Sequence, residues 1–340
     1  MKIINADAIY LKPDDNLYKT IEKIGRTCYK SEDKITNDSA PAFVKMLSDR
    51  NHLAMLEHAT VYFKCDSNTY VSLFDFISKF CDIAPYFKYI KGTWLGNYNA
   101  CYVSASLRTM LEIQNENNMY NVRDVFKPFI NILAKEYPEL FTPVNFEYQI
   151  DSYIELLSRE KFINSVEQFV TPLNPDYTKK DKRNTLMTHL THSVKFTCDR
   201  GVSHELVRHR PCSFAQESTR YCNYSLDKHD NQLTFIKPCF WDLNNPDDLW
   251  LYSRWESTMQ SAEKTYLKMI SSGATAEKAR SVLPNSLKTE IVCTATENEW
   301  QHILNLRLKG ATGAPHPQMK EIMEIIYPHL NKESNGRLLI

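Results

Sequence analysis

The chain has 340 residues, of which 43% are hydrophobic and 12% aromatic, enough apolar material for one large core or for two domains. Its 41 basic and 41 acidic side chains cancel, so no overall charge draws the protein to nucleic acid or to a membrane surface. Nine cysteines without a CxxC pair indicate reduced thiols in a cytoplasmic protein and disfavour a disulfide scaffold.

Neither a membrane segment nor a glycine-rich cofactor loop is predicted. The opening residues 1–4 carry no long apolar run, and no window reaches the roughly 18 apolar residues that a membrane-spanning helix needs. The eight glycines form no phosphate loop and no GxGxxG turn. A flavin or nicotinamide bound by a Rossmann turn is therefore disfavoured, and any anion site has to be local.

The first part of the chain predicts two helices followed by a strand. Apolar residues at helical spacing predict a helix over residues 16–29, and a second helix is predicted to start near Ser39. Residues 59–65 alternate between apolar and polar side chains, which is typical of a half-buried strand. His58 stands at the entrance of this strand, where a lone histidine is usually structural or solvated.

Residues 66–190 predict helical stretches at 104–112, 125–135 and 150–169, then an exposed polar loop at 174–184. His189 and His192 have the i, i+3 spacing of a ligand pair, but no third ligand lies nearby, so no metal site is predicted. Residues 194–199 predict a second alternating strand. Its pattern echoes residues 61–66, and the two strands are therefore expected to pair.

The segment at 208–221, RHRPCSFAQESTRY, offers little apolar surface for a core. Arg208, Arg210 and Arg220 carry planar donor forks that suit a doubly charged or larger anion. The alternative is a solvated loop with surface ion pairs. Residues 201–207 predict a helix in front of this segment, with Ser203 available as its cap.

The last third predicts a strand around residue 291 and helices over 247–271, from 275 to the proline at 284, and from 296 onwards. In the short middle helix Arg280 is predicted to share a face with apolar residues. An unpaired inward arginine costs several kcal/mol, so it needs an anion, and a structural ion pair is the alternative. Thr296 and Glu299 form a capping box, which predicts that Trp300 and Arg307 lie on one apolar side.

These motifs together resemble the flavin-dependent thymidylate synthases. The family signature is Arg-His-Arg followed by seven residues and then a serine, which corresponds here to Arg208 to Ser218. The match continues through Arg220-Tyr221. Glu57-His58 before a strand and the segments at 279–284 and 300–307 resemble further elements of the family in the same order. Compact members run from the His58 strand almost directly into the Arg-His-Arg helix. The chain is therefore interpreted as one domain, residues 1–340, with an insertion at about 66–190.

The resemblance implies an enzyme that converts dUMP to dTMP, with methylenetetrahydrofolate as carbon donor and FAD, reduced by NADPH, as hydride source. It also implies a homotetramer with active sites shared between subunits. No nucleic-acid partner and no membrane partner are expected. Helices at both ends, enclosing alternating strands, predict an α+β fold with a largely antiparallel twisted sheet flanked by helices.

Site residues are carried over by motif position. The resemblance implies dUMP contacts from Glu205, Arg208, Gln216, Glu217, Ser218, Arg220, Arg280 and Arg307. It implies FAD contacts from His58, Thr60, Arg208, His209, Arg210, Thr296, Asn298 and His302. Arg307 is the expected catalytic residue, because a fixed positive group stabilises charge that develops on the uracil ring. Gln216 and Thr296 depart from the family pattern. The family commonly has Asn-Glu where Ala215-Gln216 stands here, and it often has an asparagine where Thr296 stands.

Two alternatives remain. Pro211-Cys212 resembles the Pro-Cys of the cysteine-dependent thymidylate synthases, and Arg210 beside the thiol would activate it as a nucleophile. The other alternative is a non-catalytic nucleotide- or RNA-binding protein that uses the arginine cluster together with the 19 tyrosines. Neutral net charge and the lack of a basic and aromatic repeat count against it.

Overall fold

The computed structural model describes residues 1–66, 88–90, 100–115, 120–144, 154–173, 179–220, 222–226 and 230–340. The strands are β1 (Lys2–Ile4), β2 (Asp7–Leu11), β3 (Thr60–Asp66), β4 (Lys88–Ile90), β5 (Ala100–Ser106), β6 (Ile154–Leu157), β7 (Thr191–Asp199), β8 (Ser213–Gln216), β9 (Thr234–Ile236) and β10 (Lys288–Thr296). The α-helices are α1 (Leu17–Tyr29), α2 (Ala40–Asp49), α3 (Leu107–Asn115), α4 (Tyr120–Glu136), α5 (Arg159–Leu173), α6 (Lys179–His189), α7 (Arg200–Leu206), α8 (Pro246–Ser271), α9 (Ala276–Ala279), α10 (Glu297–Arg307) and α11 (Pro317–Glu333). Among the described residues, no helix is both long and apolar enough to cross a membrane.

The central sheet is antiparallel, with strand order β2-β7-β10-β8. Strands β7 and β10 pair along their whole length, from Thr191 opposite Thr296 to Asp199 opposite Lys288. One face of the sheet packs on α10 and α11, and the other face packs on α1 around Ile24. Because both faces are covered, β10 is almost continuously buried, and it can carry side chains to either side of the sheet.

A second antiparallel sheet has strand order β4-β5-β3-β6. The predicted pairing of residues 61–66 with residues 194–199 is wrong, because β3 and β7 lie in different sheets. Both edges of β3 are taken by strands from the predicted insertion, β5 on one side and β6 on the other. The echo between the two sequences reflected only the period of two that all alternating strands share.

The predicted α+β class with largely antiparallel sheets is confirmed; β1 and β9 form the parallel exception. Strand β3 is buried more completely than predicted. Tyr62, on its polar face, packs against Phe162 of α5 with ring centroids 4.6 Å apart. Helix α5 therefore covers the side of β3 that the alternation predicted to be open to water.

Several local predictions are confirmed. The helices predicted over residues 16–29 and 247–271 are present as α1 and α8. Asn16 caps α1 by accepting a hydrogen bond from Tyr18 N at 2.9 Å, and Gly273, two residues after α8, has φ of 90°. Three predictions in the region 66–190 need correction: residues 104–106 belong to β5, residues 154–157 form β6, and residues 179–184 begin α6 instead of a loop. Residues 150–153 of the predicted third helix and residues 174–178 of the predicted loop lie outside the described residues.

Two predictions near the site are wrong. Asp199, not Ser203, caps α7, and its carboxylate accepts a hydrogen bond from Val202 N at 2.7 Å. An aspartate at the end of a strand starts the helix earlier, which leaves Ser203 inside it. Arg280 has an exposed side chain, since α9 ends at Ala279. The 3₁₀ turn that follows has about three residues per turn and rotates Arg280 away from the apolar face.

Candidate active site

The Arg-His-Arg segment follows directly after helix α7. Its first two residues continue the turn, with Arg208 N donating to Glu205 O at 3.2 Å and His209 N donating to Leu206 O at 3.1 Å. The side chain of His209 is 5% exposed, whereas Arg208 and Arg210 are exposed. The segment therefore sends its imidazole inward and its two guanidinium groups outward.

Arg307, in the last turn of α10, joins this segment. Its Nε donates to His209 Nε2 at 3.1 Å, and its Nη1 lies 3.1 Å from Glu205 Oε2 in a salt bridge. The Arg307 side chain is 25% exposed. These two contacts use two of the five N–H donors of the guanidinium, so donors remain for a ligand that approaches from the open side.

His209 is held as a neutral ring. An arginine only donates, so His209 Nε2 must be the unprotonated nitrogen and Nδ1 carries the proton. Burial, with the neighbouring charges of Arg307 and His302, lowers the pKa of His209 to about 4. The ring of His302, which is exposed on α10, lies 6.2 Å from the His209 ring in an edge-on arrangement.

The start of α10 is fixed by the predicted cap and by a buried ion pair that the sequence did not indicate. Thr296 Oγ1 accepts a hydrogen bond from Glu299 N at 3.4 Å. Glu297 is fully buried and pairs with Arg337 through bonds of 2.7 and 2.8 Å, and with His192 Nε2 at 2.8 Å. Glu297 and Arg337 lie 40 positions apart, so no local pattern could reveal their contact.

The capping box predicted for Thr296 and Glu299 is only half formed. The hydrogen bond from the Glu299 amide is present, but Glu299 Oε1 is buried without a hydrogen-bond partner. Burial raises the pKa of Glu299, although the neighbouring His302 partly offsets this. The carboxylate therefore sits in a desolvated position beside His302 instead of closing the cap.

His58 lies on the sheet at a different place from Arg307. Its Nδ1 is 2.6 Å from Thr294 Oγ1 on β10, and that hydroxyl lies 2.6 Å from Ser193 Oγ on β7. His58 Nε2 is buried and makes no hydrogen bond of good geometry. Burial lowers the pKa of His58 to about 3, and the nearby Phe214 backbone offsets only part of this effect.

Two cavities adjoin these residues. A cavity of about 1210 Å³ is lined by His58 and Thr60 together with four basic and six acidic residues, among them Lys23, Arg159 and Glu22. A small polar cavity of about 30 Å³ is lined by Thr60, Thr294 and Thr296, among others. Thr60, whose Oγ1 is 3.1 Å from Thr191 Oγ1, therefore lies between the two cavities. Of the predicted flavin contacts, Thr60 thus shares one cavity with His58 and the other with Thr296.

The residues after β8 take part in a polar network of their own. Gln216 Nε2 donates to Ser203 Oγ at 2.9 Å and to Thr289 Oγ1 at 3.2 Å. Glu217 is buried, accepting from Lys288 Nζ at 2.9 Å and from Tyr224 OH at 3.2 Å. Ser218 is partly buried, and Arg220, Arg280 and Asn298 are exposed. Lys288 and Tyr224 were not predicted from the sequence.

Cys212 is buried in the core beside Cys293. Burial raises the pKa of Cys293, and the thiol of Cys212 adds to this effect by hydrogen bonding to it. His189 and His192 have separate partners, since His189 Nδ1 lies 2.7 Å from Ser104 Oγ and His192 binds Tyr10 and Glu297. The i, i+3 spacing of the two histidines therefore does not form a joint ligand pair.

Sequence comparison places this arrangement in a family. The profile of the family described as thymidylate synthase complementing protein matches residues 163–334, just over half of the chain. The chain belongs to this family. The matched range contains Glu205, His209, His302 and Arg307. His58 and Thr60 lie outside it.

Curated relatives carry the name flavin-dependent thymidylate synthase. The protein from Pyrococcus furiosus is 34% identical over 125 residues, which cover 36% of this chain and 49% of that protein. The protein from Thermococcus onnurineus is 36% identical over 110 residues, covering 32% and 42% respectively. The chain thus spans about half the length of the curated relatives it matches. A crystal structure of the UMP/dUMP methylase PolB from Streptomyces cacaoi is 20% identical, with a TM-score of 0.39 over 52% of this chain and 90% of that chain.

Proposed function

We propose that this member of the thymidylate synthase complementing protein family is a flavin-dependent thymidylate synthase that converts dUMP to dTMP. Methylenetetrahydrofolate is the proposed carbon donor, and FAD reduced by NADPH is the proposed hydride source. The observation that carries the proposal is the position of Arg307 between Glu205 and His209. This contact joins two motifs that lie 98 to 102 positions apart in the chain.

Arg307 has the chemistry that the reaction requires. C5 of uracil is a poor nucleophile until N3 and the carbonyl oxygens are polarised, and a fixed guanidinium stabilises the negative charge that then develops on the ring. Glu205 and His209 hold two edges of the group in place. Because the positive charge is already oriented before the substrate reacts, little reorganisation is needed in the transition state.

His209 acts through position in this proposal. Its single lone pair accepts the Arg307 Nε–H, and its pKa of about 4 keeps the ring neutral near pH 7. A neutral ring in this state fixes the orientation of Arg307 and offers Nδ1–H to a flavin. Glu205 supplies the counter-charge that keeps the guanidinium compatible with its partly buried place.

The residues around His58 fit a flavin. Thr60 and Thr296 present hydroxyl groups, the buried Nε2 of His58 lacks a hydrogen bond of good geometry, and the adjoining cavity of about 1210 Å³ has the volume of a large cofactor site. Exposed Arg208 and Arg210 are cations suited to a pyrophosphate. FAD, when bound, supplies the hydride chemistry, and these side chains bind and orient it.

The dUMP phosphate is assigned in this proposal to Ser218, Arg220 and Arg280, with Gln216 and Glu217 near the ribose or base. Arg280 points into solvent within one chain, so a second copy is proposed to bring the cationic groups and Arg307 around one substrate. The proposed assembly is a homotetramer with shared active sites. In this arrangement exposed arginines that would be surface groups in a monomer become part of a binding site.

The test is direct. Purified protein is incubated with FAD, its visible flavin absorbance is recorded, and dTMP is then measured after adding dUMP, NADPH and methylenetetrahydrofolate. We expect a flavin-coloured protein and dTMP that disappears when methylenetetrahydrofolate is omitted. Nucleotide binding without flavin binding or dTMP formation would instead favour the non-catalytic nucleotide- or RNA-binding alternative.

A further inference from the structure

Three potential metal ligands meet beside Arg307. His209, Glu299 and His302 each place one potential ligand atom within 4.8 Å of those of the other two. In the part of the chain that the structure describes, they form a group of three that could hold a metal ion. Glu299 and His302 are three positions apart on α10, which places them on the same side of the helix. His209 reaches them from the segment after α7, so the cluster joins two elements that are distant in sequence.

The state of each side chain suits a cation. Glu299 Oε1 is buried without a hydrogen-bond partner, and an uncompensated carboxylate oxygen is costly in such a place. His209 Nε2 accepts the Arg307 Nε–H at 3.1 Å, so this nitrogen is unprotonated, and only a neutral imidazole can donate a lone pair to a metal. His302 is exposed, so its ring has room to turn toward the other two.

We propose that His209, Glu299 and His302 form a binding site for a divalent transition-metal ion such as Zn²⁺. Two imidazoles and one carboxylate are a known ligand set for zinc, with water completing a tetrahedral shell. Bonds of about 2.0–2.2 Å place tetrahedral ligand atoms roughly 3.3 Å apart. The three groups must therefore close by up to about 1.5 Å, which rotation of the His302 side chain can largely supply.

Metal binding competes with Arg307 for His209. A neutral imidazole has one lone pair, and in this structure Arg307 Nε–H occupies it at His209 Nε2. A metal bound at Nε2 replaces the guanidinium. A metal bound at Nδ1 forces the proton onto Nε2, where it faces the Arg307 N–H. In either case the hydrogen bond from Arg307 is lost, while its salt bridge with Glu205 can persist.

The consequence for activity rests on the proposed function. His209 and His302 are proposed flavin contacts, and Arg307 is the proposed catalytic residue. An ion on the cluster therefore excludes flavin from those two rings and releases one of the two anchors of Arg307. The expected effect of the ion is reversible inhibition that is competitive with FAD.

The first test uses metal alone. Flavin-free, chelator-washed protein is titrated with Zn²⁺ by calorimetry and with Co²⁺ by visible absorbance, which reports tetrahedral coordination. We expect one ion per chain, with at least about tenfold weaker binding in Glu299→Gln and in His302→Ala. Arg307→Ala should bind about tenfold more tightly, because it frees the lone pair of His209.

The matched control is His329→Ala, which removes an exposed histidine of α11 and should leave the affinity unchanged. Circular dichroism melts establish that each variant is folded. The site is overturned if Glu299→Gln and His302→Ala both bind within twofold of the unsubstituted protein, or if His329→Ala weakens binding equally. Tighter binding by Arg307→Ala is a result that scattered surface histidines cannot produce.

The second test follows release of FAD during a Zn²⁺ titration. The Zn²⁺ concentration for half-release should be at least about tenfold higher in Glu299→Gln than in the unsubstituted protein. Equal half-release concentrations in the two proteins would remove the link to flavin. If the protein binds no FAD, the proposed function fails, while the metal titration still decides the site.

Discussion

Arg307 is the residue on which the proposed chemistry depends most, and its neighbours explain why its charge is usable. A half-buried guanidinium without a counter-ion would carry a large desolvation cost. Glu205 offsets that cost from one side, and the neutral ring of His209 takes a donor without adding positive charge. The remaining donors of Arg307 are therefore available to a ligand, although Glu205 balances part of the charge of the guanidinium.

Replacement of Arg307 tests this role. We expect Arg307→Ala to lower kcat for dTMP formation by at least about 10² to 10³, the usual cost of losing a preorganised electrostatic group. FAD binding and NADPH oxidation should persist at least in part, because the flavin contacts are proposed to lie mainly elsewhere. Steady-state dTMP formation and NADPH oxidation are measured side by side.

The control for this experiment is Arg307→Lys. The lysine retains the charge but loses the planar fork of the guanidinium. The activity of Arg307→Lys should therefore lie between those of Arg307→Ala and the unsubstituted protein. Unchanged dTMP synthesis in Arg307→Ala would refute ring activation by this residue. Equal loss of flavin binding would instead indicate a structural role.

Cys212 is predicted to be dispensable for chemistry. Its thiol is buried beside Cys293 in the core of the central sheet. We expect Cys212→Ala to keep kcat within about twofold and to lose about 1 kcal/mol of stability from the small cavity. Activity and thermal denaturation are measured on the same preparation, and loss of dTMP formation in a folded variant would restore the nucleophile alternative.

At the level of elements, α10 determines the geometry of the candidate site. The helix carries Glu299, His302 and Arg307, and its first residue, Glu297, is locked to Arg337 after α11 and to His192 on β7. The indole of Trp300 donates to His192 O at 3.0 Å and completes this anchor. The orientation of the site thus depends on a buried ion pair at the opposite end of the helix.

Breaking that pair should be costly. We expect Arg337→Met to lower the free energy of unfolding by about 3–5 kcal/mol, because Glu297 would remain buried without its main cationic partner. The surface pair Lys320 and Glu324 provides the comparison, and Glu324→Ala should change stability by less than about 0.5 kcal/mol. Chemical denaturation measures both, and a similar small loss in each would show that the buried pair contributes little.

For the whole molecule, buried neutral histidines predict how stability depends on pH. His58 has a pKa of about 3 and His209 of about 4 in the folded protein, against an ordinary value of 6.5. Between these values the unfolded chain binds more protons than the folded one. The free energy of unfolding should therefore fall as the pH drops from about 6.5 towards 4, by at most about 1.4 kcal/mol per pH unit for each histidine.

His58→Asn isolates one contribution, because it removes the titrating ring and retains a polar group near Thr294. Urea denaturation at pH 7, 6 and 5 should show a shallower decline for His58→Asn than for the unsubstituted protein. His329→Ala, which alters an exposed histidine, should keep the original slope. Parallel slopes in all three proteins would contradict a buried neutral His58.

The proposed sharing of active sites predicts the state of assembly. Light scattering with size-exclusion chromatography should give about four times the chain mass of 39.7 kDa, namely about 160 kDa. A second experiment mixes two inactive variants, Arg307→Ala and Arg280→Ala, and refolds them together. If one site takes residues from two chains, the mixture should recover part of the dTMP formation. A monomer, or no complementation between folded variants, would contradict shared sites.

Local patterns in the sequence were sufficient for the family motifs, for α1 and α2, for the Thr296 cap and for an α+β class with antiparallel strands. These features depend on residues a few positions apart, where propensity and side-chain period act directly. They were insufficient where a short element changed its period. Arg280 was placed inward by assuming a continuous α-helix, but the chain turns into a 3₁₀ conformation at that residue.

Contacts between distant residues required the folded chain. The separation of β3 from β7, the hydrogen bond between Arg307 and His209, and the ion pair of Glu297 with Arg337 join positions that are far apart in sequence. Each depends on which strand edge or helix face is already covered by other elements. That competition for buried surface and for hydrogen-bond partners is a property of the whole packed molecule, and periodicity in a short window carries no information about it.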